Sequence, residues 1–252
     1  MQTVLQLFSV PDCLALLTFL ICWNAYGFIV DGRRGIGRKG LVNRTHHYRK
    51  LWAMELIKRS NRVSDTALIG NLVNSVSFYA NTTIYIMAGL FAVLGTMDQL
   101  VDLTSDLPFN KNVSKGLLEF KVLLVLTVFV VAYFKFTWSL RQFNLLSILV
   151  GAAPDTTASP TYIKSYVSRM AQINSLAGDE FNRGIRAYYF AIASTSWMIN
   201  PWFFMGVSAL IVGVLIRRDF YSQALIILAQ GQALDESQHA IELPDASSKT
   251  SR

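Results

Sequence analysis

Residues 117–136 read LLEFKVLLVLTVFVVAYFKF, and the chain runs on through TWSLRQFNLLSILVG to Gly151 without a proline or an internal glycine. The first part supplies the ~20 apolar residues that a helix needs to cross the hydrocarbon of a bilayer. Its charged residues are Glu119, Lys121 and Lys135, which stand toward its two ends. As one helix, residues 117–150 would be about 50 Å long, against a core about 30 Å thick. This stretch therefore predicts a membrane helix that leaves the bilayer and continues into an aqueous layer. It is expected to stop at Gly151 and Pro154.

Two further runs have the same character. Residues 11–30 form the first, with Pro11 suited to an initial helical turn and DGRRG at 31–35 closing it. Residues 73–95 form the second, inside a longer apolar stretch from Leu68. Composition agrees. The 252 residues are 52% hydrophobic and 15% charged, where soluble domains carry about 25% charged residues. Disorder, collagen-like repeats and a disulfide scaffold are excluded. Cys13 and Cys22 are the two cysteines. On one helix they face opposite sides, about 13 Å apart along the axis, and cannot bridge. MQTVLQLFSVPDC at the start lacks a basic n-region, so the first run is expected to be a retained helix rather than a cleaved leader.

The net charge of +7 is distributed unevenly. Ten Lys and Arg lie between residues 31 and 62, and five between 141 and 186. The loop 97–116 has Lys111 and Lys115 against Asp98, Asp102 and Asp106. By the positive-inside rule the two basic loops belong in the cytoplasm and the N-terminus lies outside. The charge is thus assigned to topology, and nucleic acid is not expected as a partner.

Residues 188–216 form the fourth apolar region, divided by Asn200-Pro201-Trp202. Arms of fifteen residues reach only ~22 Å, which favours a single helix kinked at Pro201. Arg217 and Arg218 favour the alternative, a hairpin with Pro201 at its tip and five segments in all. The expected fold is all-α and polytopic. It has four membrane-embedded segments at about 11–30, 73–95, 117–137 and 188–216. A basic cytoplasmic loop covers 31–67 and a cytoplasmic helix 160–183. Residues 1–230 make one domain, and 231–252 are expected to be a disordered polar tail.

Three blocks carry a likeness to known proteins. They are NRTHHYRKLWAMELIKRSNRVSDTALIGNLVNSVSFYANTTIYIMAGLFAVLG at 43–95, FKFTWSLRQFNLLSILVGAAP at 134–154 and FNRGIRAYYFAIASTSWMINPWFF at 181–204. In this order they resemble an integral membrane family designated only as a domain of unknown function, number five-nine-nine, with members in bacteria and plants. The likeness covers roughly Leu14 to Leu225. It implies a multi-helix protein of the bacterial inner (plasma) membrane, and it brings no activity, cofactor or catalytic residue.

Candidate site residues come from polar groups at membrane depth. Asn74, Ser77 and Asn81 share one face of the second span, with Asn71 at its margin. They read either as the lining of a polar pocket or as hydrogen-bonded glue between helices. Lys135 and Arg141 read as side chains snorkelling to lipid phosphate, as an anion site, or as partners of Asp179 or Glu180. Asn200 beside Pro201 marks a broken helix of the kind that frees backbone groups for ligands. In the first basic loop, Arg33, Arg34, Arg38, Lys39, Arg49 and Lys50 are expected to contact anionic lipid. GRRGIGRKG at 32–40 has no preceding strand and no G-K-[ST] ending, so a nucleotide loop is not read there. His46 and His47 are adjacent and diverge by ~100° on a helix, so no metal site is read, and no enzyme motif appears. The expectation is a non-enzymatic protein without cofactors. Its basic face engages membrane lipids or a partner membrane protein. A channel or transporter for a small polar solute is the alternative. A small-residue pair, Ala209 and Gly213, motivates a homo-oligomer.

Overall fold

The structure, a computed structural model, describes residues 8–31, 40–99 and 114–241, with side chains as far as 234. Seven α-helices of 18 residues or more occur in it: α1 Val10–Asp31, α2 Leu41–Lys58, α3 Val63–Gly95, α4 Lys115–Gly151, α5 Pro160–Thr195, α6 Pro201–Phe220 and α7 Gln223–Ile241. No strand occurs among the described residues. Three helices, α1, α3 and α4, are long and apolar enough to cross a membrane.

Local chemistry sets the helix starts. The Ser114 hydroxyl accepts from the Leu117 amide before α4, and the Ser159 hydroxyl accepts from the Tyr162 amide before α5. The Asn200 side chain accepts from the Trp202 amide at 2.8 Å before α6. Each satisfies one amide that has no partner inside its own helix. Pro160 and Pro201 occupy the first turns of α5 and α6, where a missing N–H costs nothing.

The fourth apolar region is not one kinked helix. The 3-10 turn Ser196–Met198 ends α5, and Asn200 is extended, with φ −162° and ψ 140°. From there α6 runs back alongside α5. Trp197 stacks on Phe204 at the tip, with ring centroids 5.3 Å apart. At the other end of the pair Arg218 donates to the Tyr189 hydroxyl at 2.6 Å. The objection from arm length fails because the first arm is not a separate segment. It is the last part of a 36-residue helix, anchored below by everything that packs on its first half.

α4 and α5 form the central pair. α3 packs on α4, α1 packs on α6, and α2 packs on the first half of α5 with α7 behind it. Phe19, Phe190, Phe204 and Trp197 fill the apolar half, and Leu56, Leu146 and Met170 fill the other half. Two glycines of α5 permit this closeness. A Cβ on Gly178 would run into the Arg49 guanidinium, and one on Gly184 into the Phe136 ring.

The bundle has two levels. α1 ends at Asp31, level with Lys135 and Arg183 through a run of ion pairs. Tyr79 of α3 stacks on Phe136 next door, at 5.6 Å. Residues 63–78, 137–151 and 160–182, with α2 and α7, therefore make a second packing layer beyond that boundary. The chain from 231 to 241 belongs to α7, where the sequence reading places the beginning of a disordered tail. Gln-Ala-Leu-Asp-Glu-Ser-Gln is compatible with a helix, and Arg44 holds the side chain of Gln232 at 2.7 Å.

Candidate functional site

At the boundary between the two levels, charges from four helices meet. Glu180 of α5 is 8% exposed and pairs with Lys135 of α4 at 3.0 Å and with Arg183 one turn on at 2.5 Å. Arg183 and Arg186 both hold Asp31, the last residue of α1, at 2.9 and 2.7 Å. The guanidinium of Arg186 also lies over the Tyr26 ring, 5.7 Å from its centre. The Tyr26 hydroxyl donates to Asp219 of α6 at 2.5 Å. With Arg218 on Tyr189, four cations meet three carboxylates, leaving one positive charge over. Spacing explains the arrangement, since 180, 183 and 186 follow one face of a helix.

A cavity of about 500 Å³ opens beside this cluster. α5 supplies its floor with Arg183, Arg186, Ala187 and Phe190. One wall is α1, through Trp23, Gly27, Phe28 and Asp31; the other is α4, through Val131 and Lys135. At the far end Phe8, just before α1, meets the Phe120 ring of α4 edge to face at 4.9 Å. The result is a slot, mainly apolar along its depth with Asn24 and Tyr26 also in its lining, and with Lys135, Arg183, Arg186 and Asp31 at its mouth.

A second groove of about 770 Å³ continues on the other side of the Asp31–Arg183 pair, which lines both. It lies between α2 and the first half of α5. α5 contributes Ser168, Gln172, Ser175 and Asp179, and α2 contributes Asn43, His46 and Lys50. His46 Nε2 meets Asp179 at 2.9 Å across it. Arg49, the next basic residue of α2, turns away from the groove. It donates to the carbonyls of Asn174 and Ser175 at 3.0 and 3.1 Å. Burial pulls its pKa below the ordinary arginine value, and nearby Asp179 works in the opposite sense. Arg49 is thus a bolt between α2 and α5, where the sequence reading has a lipid contact.

The other candidate residues disperse. Asn71, Asn74 and Asn81 are exposed on α3, and Ser77 is half-buried there. Because Tyr79 is level with Phe136, Asn71, Asn74 and Ser77 belong to the second layer, and Asn81 lies on the other side of that boundary. Arg141 is exposed and stacks on its own neighbour Trp138 at 5.5 Å. Asn200 is spent as a helix cap. Lys135 joins the charged cluster through Glu180, one of the two partners considered for it, while Asp179 goes to His46. Lys50 is exposed at the second groove. Arg33, Arg34, Arg38 and Lys39 lie outside the described residues. Ala209 and Gly213 are exposed on α6.

Sequence reasoning missed Tyr26, Asp31, Arg183 and Arg186. An acid closing one apolar run, and two arginines three apart just before another, were the available signal. It also missed a buried group at the opposite end. Asp12, 4% exposed, takes the Trp197 indole N–H at 2.9 Å and the Ser9 hydroxyl at 2.5 Å. Lys121, 3% exposed, lies over the Trp197 ring. These contacts fasten the start of α1 to the α5–α6 tip.

The family described as protein of unknown function, DUF599, matches residues 14–224, and the chain belongs to it. No curated protein and no solved structure matches the chain.

Proposed function

We propose that this protein engages anionic lipid of the inner leaflet in the slot between α1 and α4, in a bacterial inner membrane, with its basic end in the cytoplasm and its N-terminus outside. One observation carries the reading: the surplus positive charge of the Lys135–Glu180–Arg183–Asp31–Arg186 cluster stands at the mouth of an apolar slot. A phospholipid has the complementary form, one phosphodiester charge above acyl chains. Arginine forks suit phosphate oxygens, and the flanking apolar walls suit the chains. The orientation follows from the ten basic residues between 31 and 62. The hairpin supports it too, since it returns α7 to the side of α2.

The test is native mass spectrometry of the full-length protein from nanodiscs of mixed phosphatidylglycerol and phosphatidylcholine. Retained phosphatidylglycerol should exceed its share of the bilayer by about tenfold, which corresponds to ~1.4 kcal/mol. Arg183→Gln should abolish the excess, and Lys164→Gln, an exposed position of α5 away from the slot, should preserve it. Retention of the two lipids in proportion to the bilayer would refute the reading. The solute-pathway alternative rests on the amide face of α3 and the break at Asn200-Pro201; Asn71, Asn74 and Asn81 are exposed on α3 and Asn200 caps α6, so the slot supports the lipid reading better.

A further inference from the structure

One face of α5 changes character along its length. Ser168, Ser175 and Asp179 line the second groove, Arg183 stands at the common wall, and Arg186 and Phe190 line the slot. Steps of three and four residues keep such positions in register on a helix, and from 168 to 190 the stripe covers about 33 Å. The order is hydroxyl and carboxylate, then cation, then aromatic. A bare phosphate, or a headgroup no larger than glycerol, would occupy only the mouth of the slot. The groove beyond has about 770 Å³, within the ~300–1,000 Å³ usual for small-molecule sites. Its walls carry hydrogen-bonding groups of both kinds: the Gln172 amide, which donates to the Ser168 hydroxyl at 3.0 Å, the Ser175 hydroxyl, the Asp179 carboxylate, which also meets His46, and the Lys50 ammonium. Vicinal hydroxyls are the chemistry that uses such a mixture, because each hydroxyl both donates and accepts.

We infer that the lipid carries a polyhydroxylated headgroup, a sugar or cyclitol joined through a phosphodiester. The phosphate sits at Arg183 and the ring lies in the groove between α2 and α5. This rests on the lipid reading above and specifies the lipid class. The Asp31–Arg183 pair is itself about one-third exposed on each side, so a headgroup can pass across it without unpacking the bundle.

The experiment uses the full-length protein in phosphatidylcholine nanodiscs doped equally with phosphatidylinositol and phosphatidic acid, with bound lipid read by native mass spectrometry. Phosphatidylinositol should be retained about tenfold over phosphatidic acid. Gln172→Leu, at an exposed position of the groove, should reduce that ratio to about one while leaving phosphatidic acid retention unchanged. Soluble glycerophosphoinositol should not compete at the concentration that saturates with lipid. Equal retention of phosphatidylinositol and phosphatidic acid, both above phosphatidylcholine, overturns the headgroup inference and leaves the lipid reading standing. Failure of both to exceed phosphatidylcholine overturns both. A preference unchanged by Gln172→Leu removes the ring from the groove, and effective competition by glycerophosphoinositol makes the ligand a free polyol phosphate.

Discussion

Gly178→Ala adds one methyl group where the Arg49 guanidinium already sits, so the arginine must leave the face of α5. It then gives up its bonds to the Asn174 and Ser175 carbonyls. A hydrogen bond from a charged donor contributes about 1.5–3 kcal/mol, and the released guanidinium regains part of that from water. Alanine returns about 1 kcal/mol of helix propensity. The net expected cost is about 2–4 kcal/mol. The assay is reversible unfolding of the purified protein by SDS in mixed micelles. In an Arg49→Ala background the obstacle is gone, and Gly178→Ala should become neutral or stabilising by about 1 kcal/mol. The coupling between the two sites should thus reach about 3 kcal/mol, the upper end of what contacting residues show. Gly213→Ala is the control, because its added Cβ meets nothing within 4 Å beyond its own stretch of helix. Equal costs of Gly178→Ala in the two backgrounds would refute the bolt between α2 and α5.

Three further outcomes are expected. Asp65 is fully buried and receives both the Trp52 indole N–H and Arg59 at 2.6 Å, so Asp65→Ala should cost about 2–3 kcal/mol in the same SDS titration. Trp197→Phe keeps the stacking on Phe204 but leaves buried Asp12 without the indole N–H. It should cost about 1–3 kcal/mol, while Ser208→Ala, which removes a bond only to its own helix, should cost less than half as much. Tyr166, in the outer layer, donates to the Leu149 carbonyl, and burial raises its pKa above the ordinary 10.0. The folded state holds that proton more firmly than the unfolded chain, so the contribution is complete below pH 10.0 and is lost as the pH rises through the folded value. Titration of stability across that window should show a fall that Tyr166→Phe reduces.

The parts legible in sequence were those written in local chemistry. The long apolar-then-mixed run of α4 announced a helix that outgrows a bilayer, and Ser159-Pro160 announced the start of α5. The hairpin was not legible by length, because residues 188–195 belong to a helix begun far upstream at Pro160. Whether a short arm is tolerable depends on what packs on the other half of its helix. The level of the α3 amides is not legible in sequence for a related reason. Periodicity puts them on one helical face, but their level depends on Tyr79 stacking on Phe136, a contact between helices that no periodicity encodes. The sequence marks Lys135 as a charge at the membrane edge, with Glu180 among its candidate partners. The other half of the cluster needed Asp31 brought beside Arg183, and these positions are 152 residues apart. Arg49 and Lys50 look alike in sequence, yet one step along α2 sends the first onto α5 and leaves the second in water.

The first helix is fastened by the last apolar one. Trp197 reaches Asp12 across 185 residues, and Asp219 reaches Tyr26 across 193. At roughly 5–20 residues per second of synthesis, α1 waits on the order of 10–40 s before its partners exist. During that interval Asp12 is without the indole N–H that it accepts in the finished fold. A chain that ends before Trp197 keeps Ser9 as the partner of that acid and lacks the indole.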